Sequence, residues 1–212
     1  MINILLADDH PYLRRGLAQI LTDAFPGAVI GEASDAPELL TLAEKQRWDV
    51  VVLDLTMPGR GGLDALHELK RLYPSLPVLV LSMHPEDQFA VRVLRAGGAG
   101  YLTKESVPQE LVHAVRTIWN GGKYITPKAA ELLAAHVQEH GDSEQPLHSS
   151  LSDREYQVFF LIASGKTLTD ISNQLSLSVK TISTYRSRIL AKLNVKTNAD
   201  LARYAVQHHL LE

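Results

Sequence analysis

The sequence contains no cysteine. That absence excludes disulfides, thiol catalysis and any zinc site that needs thiolate ligands, and it suits a reducing cytosol. No apolar run approaches the ~18 residues that a membrane-spanning helix requires, so no membrane partner is expected. The opening segment, MINILLADDH, has no basic region and reaches two acids by position 9. It therefore does not read as a secretory signal, and a cytoplasmic location is the expectation. Disorder is excluded too, because 45% of the 212 residues are hydrophobic and 21% charged, ordinary proportions for a folded chain. That length exceeds one typical domain and barely accommodates two.

Acidic side chains are missing from one place in particular. Between Ile171 and Ala199 there is none, while Lys180, Arg186, Arg188, Lys192 and Lys196 all fall inside. From Ser150 onward eight basic residues face five acidic ones, so the tail carries +3 and the remainder of the chain −6. An acidic first part joined to a locally basic tail implies two domains with different partners.

Strand-like and helix-like patterns alternate over the first 120 residues. Ile2–Ala7, Val29–Ala33, Asp49–Leu53, Pro77–Leu81 and Gly100–Thr103 are short and almost continuously apolar, as strands buried on both faces of a parallel sheet are. Helical patterns lie between them, the fifth with Ser106 as its cap and Pro108 in its first turn. Five such units predict an α/β domain with a five-stranded, doubly wound parallel sheet over residues 1–120. Residues 121–149 read as a linker with one helix from Pro127, and the polar stretch Gly141–Ser150 as its flexible part.

The tail, 150–212, is all-helical by pattern. Ser152 to Glu155 forms a capping box, Thr167 or Thr169 opens a short helix, Ser178 caps the next, and Thr197 caps the last. The helix after Ser178 has an apolar seam of Val179, Ile182, Ile189 and Leu193, meant to pack inward. Two short helices joined by Ser176-Leu177-Ser178 make a helix-turn-helix. Away from the seam lie Lys180, Thr184, Ser187 and Arg188, with Ser183 and Arg186 on the flanks. Cations for phosphates beside short hydroxyls for base edges suit a DNA major groove. The candidate DNA contacts are Lys180, Thr181, Ser183, Thr184, Ser187, Arg188 and Lys192.

The strand ends carry the other constellation. The first strand runs into Asp8-Asp9, the third into Asp54, the fourth into Ser82, and the fifth is followed by Lys104. In an open parallel sheet these ends share one edge, where ligands bind at the topological switch. Three carboxylates there need a cation among them, and hard oxygen donors suit Mg²⁺. A metal, a lysine and a hydroxyl converging on a carboxylate can receive a phosphoryl group, a reaction that rests on positioning and charge neutralisation. Asp54 is then the nucleophile. Asp9, Asp8 and the Thr56 carbonyl hold the metal, and Lys104 and Ser82 bind the phosphoryl oxygens.

ADDH, LDLTMPGRGGLDAL, VLSMH and GYLTKES, with 22 residues from Ser82 to Lys104 and Tyr101 three before the lysine, resemble the receiver domain of bacterial two-component response regulators. The tail resembles the LuxR-type helix-turn-helix, and the whole chain the NarL/FixJ class; YITP and STYRSRI resemble its GacA/UvrY-like branch. The resemblance implies a transcriptional regulator, not an enzyme. Asp54 is implied as phosphoacceptor, served by a sensor histidine kinase, with Asp8 and Asp9 as the acidic pair. Ser82, Tyr101 and Lys104 become the switch residues, and the tail binds promoter DNA, as a homodimer when phosphorylated. Phosphate on Asp54 is expected to draw in Ser82 and free space for Tyr101 to turn inward. Two rivals fail on residues. A dehalogenase-type phosphatase needs an acid where Thr56 stands, and a flavodoxin-like cofactor site would place phosphate against Asp8-Asp9. His136 to His140 matches a zinc-protease spacing but lacks a third ligand, and Ser164 to Thr167 lacks the upstream glycine of a phosphate loop.

Overall fold

The computed structural model describes residues 1–57, 61–139, 146–208 and 210–211. The chain divides into two compact units, Met1–Ala134 and Ala135–Glu212.

In the first unit, β1 (Asn3–Ala7), β2 (Val29–Ala33), β3 (Val50–Asp54), β4 (Val78–Ser82) and β5 (Gly100–Thr103) form one parallel sheet in the order β2-β1-β3-β4-β5. Helices α1 (Pro11–Ala24), α2 (Ala36–Lys45), α3 (Gly62–Leu72), α4 (Glu86–Arg95) and α5 (Val107–Trp119) make the crossovers. Strand alternation sends Ile4, Leu6, Val50, Val52, Leu79 and Leu81 to a core shared with Leu17 and Leu21 of α1 and Leu111, Val115 and Ile118 of α5. The intervening Leu5, Val51, Leu53, Val78 and Val80 are also fully buried, as a sheet covered on both faces demands. Three strands start one residue later than the pattern suggests, and two of these take in Asp54 and Ser82 as their last residues. Ser106 stands at the N-cap of α5 but does not cap it. Its backbone is in the helical region, and its hydroxyl donates back to the Thr103 carbonyl at 3.0 Å.

Helix α6 (Pro127–Glu139) crosses the division between the units. The second unit holds α7 (Asp153–Ala163), α8 (Leu168–Gln174), α9 (Val179–Lys192) and α10 (Asn198–Gln207). Helix α7 is buried along its length from Arg154 to Ala163 and packs against α9 and α10. Its capping box is closed in both directions, Glu155 N to Ser152 Oγ at 3.3 Å and Ser152 N to Glu155 Oε2 at 2.8 Å. Thr167, Ser178 and Thr197 cap α8, α9 and α10 through their hydroxyls. The turn between α8 and α9 holds Ser176 in the left-handed region, at φ 51°.

Two expectations for the second unit fail. Val179 is 45% exposed, because the first residue of α9 projects beyond the packing that buries Ile182, Ile189 and Leu193. The end of the supposed flexible stretch is ordered: Leu147–Ser150 is a 3-10 helix, with the His148 amide donating to Tyr204 Oη at 3.2 Å. His140 to Gln145 lie outside the described residues, as does the far end of the His136–His140 spacing.

Candidate functional site

All the strand-end residues meet at the carboxyl edge of the sheet, beside the point where strand order reverses between β1 and β3. Asp8, Asp54 and Ser82 are fully buried. Lys104, reaching across from beyond β5, binds both carboxylates, with Nζ 2.8 Å from Asp8 Oδ2 and 2.9 Å from Asp54 Oδ2. Asp54 Oδ1 accepts the Thr56 amide at 3.0 Å, and Asp8 Oδ1 the His10 amide at 2.8 Å. Close chain approach makes this possible: a Cβ on Gly62 would lie 2.2 Å from the Asp54 carbonyl oxygen, so no other residue fits where the loop returns to α3.

Burial pushes the Asp54 carboxyl above the usual carboxylate range, with Asp8 adding to the push and Lys104 opposing it. Burial also works against the Lys104 ammonium, but the two carboxylates outweigh it and its pKa is raised. The pocket is thus short of positive charge. Asp9 Oδ1 and Asp54 Oδ2 are buried and accept no well-aligned hydrogen bond, and the Thr56 hydroxyl is buried without a partner. Donor atoms of Asp8, Asp9, His10 and Asp54 lie within 4.8 Å of one another. Three carboxylates in that arrangement fit a hard divalent cation.

Ser82 Oγ accepts the His84 amide at 3.0 Å, and the Tyr101 hydroxyl donates to the His84 carbonyl at 2.7 Å. Tyr101 is only 2% exposed, and burial holds its phenol far above the ordinary range. The ring is turned inward. The apolar face gained by burial and the His84 carbonyl for its hydroxyl hold it there.

Sequence reasoning missed three contributors. His10 sets Nδ1 at 2.8 Å from Asp9 Oδ1, Arg14 donates to the Asp8 carbonyl, and the His84 backbone links Ser82 to Tyr101. Adjacency to the acid pair was a signal for His10. The other two act on or through main-chain atoms, which residue types do not reveal.

On α9, Lys180, Ser183, Thr184, Ser187 and Arg188 are exposed on one side, while Thr181 is half-buried against the Ser178 cap and Arg186 binds Asn198 Oδ1 at 2.6 Å. The hydroxyls of Thr184 and Ser187 donate to the Lys180 and Ser183 carbonyls at 3.0 Å. They therefore offer acceptor lone pairs outward. Lys192 lies apart: its ammonium binds the buried Glu155 Oε2 at 2.6 Å and the Ser150 carbonyl at 3.0 Å. Burial pushes the Glu155 carboxyl up, but hydrogen bonds from Lys192 and Ser152 prevail and hold it below its ordinary value near 4.5. Lys192→Ala should therefore cost the second unit about 2 kcal/mol of unfolding free energy, the worth of a hydrogen bond to a charged group. Since the unfolded chain takes up the Glu155 proton first, this stabilisation is present above about pH 4.5 and is lost as pH falls through the lower folded value. Urea midpoints measured from neutral to acidic pH check both the loss and its slope.

Residues 4–116 match the response regulator receiver domain and residues 149–205 the luxR family of bacterial regulatory proteins. The chain is 39% identical to Response regulator UvrY of Escherichia coli strain K12 over 210 residues, covering 99% of this chain and 96% of that one. It is also 39% identical to Response regulator GacA of Pseudomonas aeruginosa PAO1 over 212 residues, covering 100% and 99%. Among solved structures, RcsB of Salmonella typhimurium aligns over 97% of this chain and 100% of its own with a TM-score of 0.61 and 28% identity. An RcsB–DNA complex aligns over 97% and 98% with a TM-score of 0.58 and 28% identity. The acid-lined sheet edge and the helix-turn-helix thus sit in the two matched regions, and the chain belongs to the two-component response regulators with a LuxR-type output domain, phosphorylation-dependent DNA-binding transcription regulators rather than enzymes.

Proposed function

We propose that Asp54 is the phosphoacceptor, that a sensor histidine kinase is the donor, and that promoter DNA is bound by α9 of a homodimer formed on phosphorylation. The observation that carries the reading is the single ammonium of Lys104 shared between Asp54 and Asp8 beside the Ser82 hydroxyl. A carboxylate oxygen of Asp54 attacks the phosphorus of a phosphohistidine. The new O–P bond forms as the P–N bond breaks and its electron pair returns to the imidazole, leaving an acyl phosphate. Lys104 stays beside the transferred group and Ser82 supplies a hydroxyl to it. Asp8, Asp9, Asp54 and the Thr56 carbonyl would hold Mg²⁺, which supplies neutralising charge for the incoming phosphoryl oxygens. The domains are assigned as receiver over 1–120, linker over 121–149 and DNA-binding domain over 150–212. Among the described residues no helix is long and apolar enough to cross a membrane; a cytoplasmic site of action accords with a kinase donor and a chromosomal target.

Acetyl phosphate with Mg²⁺ tests the reading: one phosphoryl group per chain, abolished by chelation, and tighter promoter binding afterwards. No acyl phosphate on the wild-type chain rejects the first step, and unchanged DNA affinity rejects the second.

The DNA face makes its own prediction. Lys180→Ala and Arg188→Ala should each weaken binding to specific and random duplexes alike and lower the slope of log K against log salt by about one unit. Lys192→Ala should leave that slope unchanged, because its ammonium is held by Glu155. Thr184→Ala should shift sequence preference instead, away from bases that offer an N–H to its lone pairs. Salt titrations and site selection on the four variants decide these points.

A further inference from the structure

The segment leaving α5 is strapped back onto the receiver. Tyr124 pairs with Gly100 of β5, its amide donating to the Ala99 carbonyl at 2.8 Å and its hydroxyl to Glu110 Oε2 of α5 at 2.8 Å. A Cβ on Gly100 would stand 2.8 Å from the Tyr124 carbonyl oxygen, so the strap needs glycine there. Two residues on, the Thr126 hydroxyl donates to Glu86 Oε2 at 2.6 Å. Thr126 Oγ1 in turn accepts the Ala129 amide at 3.1 Å in the first turn of α6. Lys128 Nζ lies 3.4 Å from Asp87 Oδ2, and Ala129 is buried.

Glu86 is the first residue of α4 and stands two residues after His84. His84 is the residue whose amide holds Ser82 Oγ and whose carbonyl holds Tyr101. We propose that the Thr126–Glu86 hydrogen bond is a clip through which the state of the Ser82 loop reaches α6, and through α6 the DNA-binding unit. The inference rests on Asp54 being the phosphoacceptor. When Ser82 turns its hydroxyl to a phosphoryl oxygen, the His84 amide loses its acceptor. The short loop to Pro85 then re-forms, and Glu86 at its end moves relative to Thr126. Because α6 runs past the division at Ala134 as one helix, a shift at its first turn is carried along it. Thr126 and Glu86 are positioning residues, remote from the transferred group. A charge-assisted hydrogen bond suffices to bias such an equilibrium by about tenfold.

The test uses the full chain before and after acetyl phosphate with Mg²⁺. Phosphorylation is read by mass spectrometry, DNA affinity by titration, and the response of α6 by amide hydrogen exchange over residues 127–134. Glu86→Ala removes the acceptor but leaves Thr126 free to cap α6; Thr126→Ser keeps both roles; Thr126→Val removes both. Glu86→Ala should be phosphorylated as fully as wild type, while its phosphorylation-induced gain in DNA affinity falls at least fivefold and the exchange response of α6 disappears. Thr126→Ser should behave as wild type and Thr126→Val as Glu86→Ala. A Glu86→Ala chain that keeps the full affinity gain and the full exchange response overturns the clip. If the wild type is phosphorylated with no gain in DNA affinity, the DNA reading has failed, and the exchange response still decides the clip. If the wild type takes no phosphoryl group, the Asp54 reading falls and the clip with it.

Discussion

Asp54→Ala should abolish phosphoryl transfer from both acetyl phosphate and a kinase, with less than about one part in a thousand of the wild-type rate remaining. The variant lacks the nucleophilic carboxylate oxygen. The fold should survive the change. Lys104 keeps its 2.8 Å contact with Asp8, and the pocket loses one of its crowded negative charges. Mass spectrometry reads the phosphoryl group, and thermal unfolding confirms that the variant is folded. An Asp54→Ala chain phosphorylated as fully as wild type would remove Asp54 from its role.

Lys104→Met should have the largest effect on stability. The Lys104 side chain is 5% exposed between carboxylates that are 1% and 0% exposed, so its removal leaves two adjacent buried anions without a counter-charge. Breaking a buried pair in this way costs about 3–5 kcal/mol. Two further signs follow from the same electrostatics. Lowering the pH should shrink the loss, because the Asp54 carboxyl, pushed up by burial, then takes up a proton and the repulsion falls. Mg²⁺ should stabilise the variant by about 2.7 kcal/mol at a hundredfold excess over its Kd, since only the folded chain assembles the carboxylates, and should stabilise wild type less at the same concentration because Lys104 already supplies positive charge there. Denaturant midpoints with chelator, with Mg²⁺ and across acidic pH measure all three. A midpoint in chelator equal to wild type would show that Lys104 does not neutralise this pocket.

The strands, the crossover helices, the tail helices and four of the five caps were legible because each has a local cause. Apolar runs of five residues make buried strands, and a hydroxyl or carboxylate ahead of an apolar period caps a helix. Ser106 was misread because the cap needs an extended backbone as well as a hydroxyl, and its backbone is helical. Val179 was misread because helical period alone assigns a face without saying where the packed neighbours end. Lys192 shares its charge with Lys180 and Arg188, and nothing local distinguishes a cation that meets solvent from one that meets Glu155, 37 residues earlier.

The sequence by itself determined which chemistry stands at the carboxyl edge of the sheet, since strand length and apolar pattern put Asp8, Asp54, Ser82 and Lys104 at strand ends. Tertiary structure alone decided what those groups do to one another. Lys104 joins Asp8 across 96 residues of chain, Tyr101 is held inward by a backbone carbonyl, and Thr126 is tied to Glu86 across 40 residues. Strand and helix patterns arise from neighbours a few residues apart, whereas counter-charge, burial and hydrogen-bond partners come from segments that meet only when the sheet has closed.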